Sequence, residues 1–476
     1  MTDTSLDTPD NSLSLALPWR IALAVVAGLL LTAGYALHPI WWAPWLAPVP
    51  LILAASGGRG RARLVGAIAG AVSVISVLGY YFGQSGAWLG TLIIVILRIV
   101  SWNAAARFAE TANRRLPAAV AMFALPVVMA AFEAATLLIS IHGAAGSLAY
   151  SQMDLPGVIQ VASIGGVSAI VFIVLLPGSF LGLWLTRRHK LVDLAVAGGV
   201  LCVTVAACGL YANERLSAPQ AGPRVHATLI ATDRFEFIPK DWTKVWSAYA
   251  PQVVRSARAG GIVVLPEKIA LLDPAQTVTA THDISAMAQQ THATIVVGLE
   301  VHDTAYHNRS LIAGPDGSVA WYTKQRLVPG WEDRDVPGKT PLVVHINGAD
   351  VGVAICKDMH VPSIGHEYAG TAALMVVSAW DFGQDGWMGA RMTALRGVES
   401  AYAIARSARD GVLGAYDAEG RIIAEAPSSP GMAVVEADVP AQAQPTFYGR
   451  FGDVFGYGCI AAVIALVGLF VARRNQ

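Results

Sequence analysis

The sequence predicts a membrane α-helical bundle of about eight transmembrane helices joined to a layered α/β outer domain. Three observations predict it. Mean hydropathy is +0.51. Only 14% of the 476 residues are charged, against about 25% in a typical soluble chain. Long apolar runs fill the first 211 residues and return at the end, while residues 212–450 form one polar block of alternating strands and helices.

Residues 1–17 carry Asp3, Asp7 and Asp10 and no basic residue. That is the wrong charge for a cleaved signal peptide, so the first apolar helix is expected to stay as an anchor. Seven apolar runs follow, near 20–37, 41–56, 64–83, 88–106, 117–140, 158–185 and 191–211, and an eighth lies near 455–472. Most reach the ~20 residues a helix needs to cross a bilayer. The second run is short and holds Pro44, Pro48 and Pro50, which predicts a broken or re-entrant segment.

Basic residues set the orientation. Arg59, Arg61 and Arg63 lie between runs two and three, and Arg107, Arg114 and Arg115 between four and five. Arg187, Arg188 and Lys190 lie between six and seven, and Arg473 and Arg474 close the chain. Every second connection is basic, so both termini read as cytoplasmic and the polar block as outside. The divisions are a tail at 1–18, a seven-helix domain at 19–211, an outer domain at 212–450, and a closing helix with a cytoplasmic tail at 451–476.

Inside the apolar runs Arg98 and Glu133 are functional candidates, because ionisable groups are costly there. Glu133 is a candidate cavity residue beneath the outer domain. The plainer reading of both is a buried pair or a snorkelling charge. Gly66 and Gly70 form a small-xxx-small pair, the mark of close helix packing.

In the polar block, 225–231, 261–266, 294–299, 342–346, 351–355 and 372–378 read as strands, and 247–259 and 386–401 as amphipathic helices. Ala313-Gly314-Pro315-Asp316-Gly317 and Asp417-Ala418-Glu419-Gly420 read as hairpin turns. The formal net charge is zero, which gives nucleic acid no basic face to bind. Of four cysteines, Cys202, Cys208 and Cys459 lie in apolar runs, so Cys356 is alone in the polar block and no disulfide framework is available there.

Three strand-like stretches end on chemistry-bearing residues. Val351-Gly352-Val353-Ala354-Ile355 runs into Cys356, Ile262-Val263-Val264-Leu265-Pro266 into Glu267, and Trp321-Tyr322-Thr323 into Lys324. Such a trio can make an activated thiol. Glu takes the proton, Cys attacks a carbonyl, and Lys holds the oxyanion. Taken alone, Cys356 reads equally as a small buried apolar residue. His360, His366 and Glu367 lack any usual ligand spacing, so no metal is expected, and no cofactor motif appears.

Pro266-Glu267, Lys324 and Ile355-Cys356 resemble the Glu-Lys-Cys signature of the nitrilase, or carbon-nitrogen hydrolase, superfamily. Seven helices, an outer domain of that type and a closing helix are similar to the apolipoprotein N-acyltransferase family. Local stretches agree: Tyr150-Ser151-Gln152 with Asp154 and Pro156; Glu133 in the fifth helix; Lys324-Gln325-Arg326-Leu327-Val328-Pro329 followed by Glu332; Arg391, Ala394, Leu395, Glu399 and Arg406; and Phe447-Tyr448-Gly449-Arg450 with Gly452 and Asp453. The resemblance implies a nitrilase-like four-layer αββα sandwich on the periplasmic side of a bacterial inner membrane. It implies transfer of an acyl chain from a phospholipid donor, through a cysteine thioester, to an amine acceptor, a diacylated lipoprotein. Cys356 is then the nucleophile, Glu267 the base and Lys324 the oxyanion stabiliser. Glu332 is a second carboxylate, Asp358 a supporting one, and the Lys357 backbone amide a second oxyanion donor.

The chain departs from the family in places. Lys357 and Asp358 follow the cysteine where the family usually has an aromatic and a glutamate, and Leu265 and Lys268 flank Pro-Glu. The long apolar arm between Glu332 and the cysteine is replaced by a short polar interval that includes 333–338. After the next strand the segment reads Trp380-Asp381-Phe382. Trp331, Trp380 and Trp387 are expected to shield the lipid path in the arm's place. Two other readings stand beside acyl transfer: a membrane-anchored amidase in which water resolves the acyl-enzyme, and a non-catalytic membrane scaffold.

Overall fold

The structure is a computed structural model that describes residues 15–85, 88–220 and 222–472. Asp3, Asp7, Asp10, Arg473 and Arg474 lie outside the described residues. The chain divides into a helical unit (residues 1–135, 168–210 and 455–476) and an α/β unit (residues 136–167 and 211–454).

Among the described residues five helices are long and apolar enough to cross a bilayer: Leu17–Gly34, Leu89–Arg115, Ala118–Ile139, Ala162–Leu185 and Leu191–Ser217. The helices Gly60–Val72 and Ile75–Gly83, bent by 47° at their junction, make a sixth if taken as one span. The proline-rich second run is broken as its composition predicts, into Ala43–Leu46 and Pro48–Ala55. The last run forms Val454–Ala472.

Two features of the helical unit follow from small side chains and charge. A Cβ on Gly66 would lie 2.6 Å from the Trp102 carbonyl oxygen, and one on Gly70 2.5 Å from that of Arg98. The paired glycines therefore let two helix backbones touch. Near the helix ends, Glu110 Oε1 accepts from Gly58 N at 3.1 Å and from Arg114 at 2.5 Å, with Arg188 at 3.5 Å. One buried carboxylate thus draws together three connections, two of them through arginines.

Among the described residues the α/β unit holds thirteen strands. They are β1 (Arg224–Thr232), β2 (Ile262–Val264), β3 (Leu271–Leu272), β4 (Thr294–His302), β5 (Tyr306–Ala313), β6 (Val319–Thr323), β7 (Leu342–Ile346), β8 (Ala349–Ile355), β9 (Leu374–Trp380), β10 (Ala403–Arg409), β11 (Val412–Tyr416), β12 (Ile422–Pro427) and β13 (Met432–Pro440). One sheet runs β13-β1-β2-β4-β5-β6, with β3 on β4, and the other β12-β11-β10-β9-β8-β7. The centres are parallel, β1-β2-β4 and β8-β9-β10, and the flanks antiparallel. Central strands such as β4 and β10 are buried along nearly their whole length, as parallel strands covered on both faces must be.

The two-residue period of a strand divides each sheet's side chains between two cores. Leu229, Val264 and Val296 of the first sheet meet Val353, Ile355, Val376 and Ala405 of the second. Their neighbours Ile230, Val263, Leu265, Ile295 and Val297 face away, against Val245, Tyr249 and Val253 of helix Trp242–Ser256 and Ile284 of helix Pro274–Thr291. Helix Trp242–Ser256 starts earlier than its apolar period suggests, because Asp241 caps it through Lys244 N at 3.1 Å. Helix Pro274–Thr291 escapes a reading of periodicity, but its capping box of Asp273 and Gln276, with Pro274 at the first position, is present in the sequence.

Candidate active site

The candidate residues sit where strands end. Lys324 directly follows β6, Cys356 directly follows β8, and Glu267 lies three residues past β2. The carboxyl ends of parallel strands are where open α/β sheets place ligands.

Glu267 arrives through a close passage. Gly298 of β4 donates its N–H to Pro266 O at 3.1 Å, and its own carbonyl accepts from Ile269 N at 2.9 Å. A Cβ on Gly298 would lie 2.4 Å from Pro266 O and 2.6 Å from Glu267 Cα. Only a glycine leaves room for this turn. Across the sheets, Glu267 N donates to Ala379 O of β9 at 3.2 Å.

Lys324 is 1% exposed and its ammonium bridges two carboxylates, Glu267 Oε1 at 2.7 Å and Glu332 Oε2 at 2.9 Å. Asn308 of β5 joins them from the other side. Its Nδ2 donates to Glu267 Oε1 at 2.5 Å and to Glu332 Oε1 at 2.6 Å. Burial alone would lower the Lys324 ammonium, but Glu267 and Glu332 outweigh it and hold it well above the ordinary lysine value. Burial likewise would raise Glu332, yet the ammonium groups of Lys324 and Lys268 bring it down to about 2. The site therefore holds a buried ammonium between two carboxylate side chains.

Cys356 breaks the strand pattern with φ +45°, the left-handed region. A non-glycine residue there costs about 1–2 kcal/mol, and such strained turns recur where a nucleophile must be presented at a strand end. Its Sγ lies 3.6 Å from Trp380 O. Burial pushes the thiol well above its usual value, and the charge of Glu267 pushes it further, against the pull of Lys324. The resting group is a thiol, which becomes nucleophilic only when a base takes its proton.

Asp358, two residues on, ties these ends together. Its carboxylate accepts from Ile355 N at 3.1 Å, Tyr322 Oη at 2.8 Å, Gln325 N at 3.1 Å and Arg326 N at 2.8 Å. It thereby fixes the exit of β8 against the chain just after Lys324. Lys357 turns its side chain to Leu327 O at 2.7 Å, and burial with the Lys324 charge lowers it to about 8.

The three tryptophans differ. Trp380 contributes its carbonyl beside Sγ, while its indole N–H donates to Asp410 at 2.7 Å and Arg409 stacks on its ring at 4.0 Å. Trp331, 56% exposed, leans on Phe382 with centroids 5.2 Å apart. Trp387 lies 5.1 Å from the Arg391 guanidinium, on helix Gly386–Ser400. Glu133 belongs to the helical unit, on helix Ala124–Ile139.

Several single-residue motifs turn out to join segments of the α/β unit. Arg396 pairs with Glu399 at 2.9 Å and reaches Tyr150 Oη at 3.5 Å. Thr446 Oγ1 donates to the Glu399 carbonyl. Gly166, at φ +58°, leaves no space for a Cβ against the Tyr448 ring.

The residues that sequence reasoning missed are Asn308, Glu300 and Asp335. Glu300 sits in an otherwise apolar strand and Asn308 in the middle of the next, and a polar residue buried in a strand needs a partner. That was the available signal.

Residues 27–180 match the family described as the apolipoprotein N-acyltransferase N-terminal domain, and residues 243–446 match the carbon-nitrogen hydrolase family. The apolipoprotein N-acyltransferase of Geobacter metallireducens is 23% identical, over 97% of each chain. That of Caulobacter vibrioides is 29% identical over 33% of each chain. Among solved structures, an amidase from Nesterenkonia sp. is 19% identical over 48% of this chain and 94% of its own, with a TM-score of 0.40.

Proposed function

We infer that this chain, an apolipoprotein N-acyltransferase-like membrane protein of the nitrilase, or carbon-nitrogen hydrolase, superfamily, is a membrane N-acyltransferase that works through a cysteine thioester. The observation that carries the reading is the buried Lys324 bridging Glu267 and Glu332 beside Cys356, in a chain whose residues 27–180 match the apolipoprotein N-acyltransferase N-terminal domain. In this reading Cys356 Sγ attacks the acyl carbonyl of a phospholipid and Glu267 takes the thiol proton. Lys324 and Asn308 both bond Oε1 of Glu267, so Oε2 is the oxygen open to that proton. The oxyanion is held by the Lys324 ammonium and the Lys357 backbone amide. Collapse breaks the ester bond, and the leaving alcohol takes the proton from Glu267. An amine then attacks the thioester, gives its proton to the same carboxylate, and leaves as an amide while Cys356 recovers its thiol. The acceptor is an amine at the terminus of a diacylated lipoprotein, in line with the names of the relatives.

Eight crossings complete the membrane part: the five long helices, the bent pair, the proline-broken segment and Val454–Ala472. The catalytic unit is a four-layer αββα sandwich with helices outside both sheets. It lies on the periplasmic face of a bacterial inner membrane, opposite the basic connections, and the meeting of three connections at Glu110 supports their common side.

The second reading, a membrane amidase, draws on the polar interval 333–338 and the exposed Trp331, which leave water a shorter path to the acyl-enzyme. One experiment separates the two. Protein in vesicles of acyl-labelled phospholipid is expected to form a thioester that is lost in Cys356→Ala, to pass the label to a diacylated peptide amine, and to release free fatty acid slowly without acceptor. Absence of acylation from every lipid tested, with turnover of a water-soluble amide, defeats the acyltransferase reading.

A further inference from the structure

Behind Lys324 lies a second buried lysine for which acyl transfer has no evident use. Lys268 follows Glu267 directly, is 5% exposed, and takes a left-handed backbone conformation at φ +48°. A lysine gains nothing from that conformation by itself, so the local strain of about 1–2 kcal/mol must be offset by where the side chain goes. It goes among carboxylates. Its ammonium lies 2.8 Å from Asp335 Oδ2, 3.2 Å from Glu332 Oε1 and 3.9 Å from Glu300 Oε1.

We propose that Lys268 is a positioning residue that sets the charge balance of the catalytic site, by sharing Glu332 with Lys324. The proposal rests on the reading of Glu267, Lys324 and Cys356 as the catalytic group. Glu332 has two oxygens and two ammonium partners. Lys324 takes Oε2 and Lys268 takes Oε1. With Oε1 bonded by Asn308 at 2.6 Å and neutralised by Lys268, the one cation on that oxygen among the described residues, Glu332 has less hold on Lys324, whose charge is left for Glu267 and for a developing oxyanion. Without Lys268, Glu332 would draw Lys324 toward itself and away from the reacting carbonyl.

The surrounding charges fit this role. Three anions face Lys268 at close range, and Arg334 neutralises part of one by bonding Glu300 at 2.6 Å. Glu300 Oε2 and Asp335 Oδ1 have no hydrogen-bond partner among the described residues, so these two carboxylates lean on the cations beside them, Lys268 and Arg334. Glu267 also feels Lys324 and Arg409, and Cys356 feels Glu267, Lys324, Lys357, Asp381 and Arg406. Of those cations Lys357 also acts on Glu332, but its ammonium is turned to Leu327 O at 2.7 Å, whereas that of Lys268 lies 3.2 Å from Glu332 Oε1. Burial would lower the Lys268 ammonium, but Glu332 and Glu300 raise it above its ordinary value, so it is charged throughout the working range.

The test reads the thiol and needs no lipid. Alkylation of Cys356 by iodoacetamide is followed by intact mass as a function of pH in the full-length protein in detergent. Lys268→Met removes a cation next to the carboxylates, so their proton affinity rises. The acid limb of the profile is expected to move to higher pH by about one unit. Lys268→Arg keeps the charge and is expected to stay near the parent profile. Asp335→Asn removes the nearest of the three carboxylates facing Lys268 and leaves its charge to Glu332 and Glu300, so it is expected to move the limb the opposite way, to lower pH. If Lys268→Met does not fold, the Asp335→Asn shift decides by itself. An unshifted limb in Asp335→Asn, or an equal shift in Lys268→Arg and Lys268→Met, overturns the proposal. Lack of acyl transfer from lipid, with these shifts intact, would instead count against the acyltransferase reading alone.

Discussion

Replacing Glu332 by glutamine is a small change in shape with a large expected effect. Every neighbour of this carboxylate is a donor. Lys324 Nζ at 2.9 Å and Val328 N at 2.7 Å point at Oε2. Asn308 Nδ2 at 2.6 Å and Lys268 Nζ at 3.2 Å point at Oε1. Whichever way a glutamine amide turns, its NH2 meets two donors. Rotating Asn308 to offer its unpaired Oδ1 would remove its bond to Glu267. Breaking a buried ion pair in this way costs on the order of 3–5 kcal/mol. A second estimate comes from protonation. Glu332 stands at about 2 in place of 4.5, a difference worth about 3 kcal/mol. The sign follows from the depressed value: this stability is fully present above pH 4.5 and is lost as pH falls from there toward 2. Denaturant unfolding of the detergent-solubilised protein, followed by tryptophan fluorescence from pH 7 to 3, is the assay, with the Cys356 acylation rate measured alongside. Glu332→Gln is expected to unfold earlier at pH 7 and to lose part of the parent's acid sensitivity. Its acylation should fall by about 10²–10³-fold as Lys324 loses its hold. A midpoint and a rate both equal to the parent's would refute the reasoning.

Two further substitutions probe the same frame. Lys324→Met leaves two buried carboxylates sharing Asn308 with no cation between them. Single-turnover acylation should drop by about 10²–10³-fold or more, and a near-normal rate would remove Lys324 from the oxyanion role. Gly298→Ala places a methyl group 2.4 Å from Pro266 O and 2.6 Å from Glu267 Cα, on backbone that has nowhere to move. It is expected to cost about 1–3 kcal/mol of stability and to slow Cys356 alkylation, and wild-type behaviour in both would show that the Glu267 turn is looser than its geometry implies.

The sequence by itself determined the parts that are local in the chain. Hydropathy marked the five helices long and apolar enough to cross a bilayer, because a bilayer demands long apolar runs, although Leu89–Arg115 extends nine residues past the apolar run read at 88–106. It also foresaw the break at Pro44, Pro48 and Pro50 and the helix contact at Gly66 and Gly70. Strands β7, β8 and β9 were legible because a buried strand is an apolar run with punctuation at its ends. Glu267, Lys324 and Cys356 were legible for the same reason, as charge or thiol closing such a run. What they share in space was not. Lys324 meets Glu267 across 57 positions of chain, Asn308 meets Glu267 across 41, and Lys268 meets Asp335 across 67. Those meetings depend on which strands pair and in what register, and no local pattern encodes that. The left-handed turns at Lys268 and Cys356 were invisible too, since neither residue type favours them and only the packed surroundings hold them there. Tertiary structure also decided the meaning of single residues. Asp358 became a tie between strand ends, and Lys268 a buried partner of three carboxylates. A charged side chain is read from sequence as solvated, and only the packing around it decides that it is buried and therefore paired.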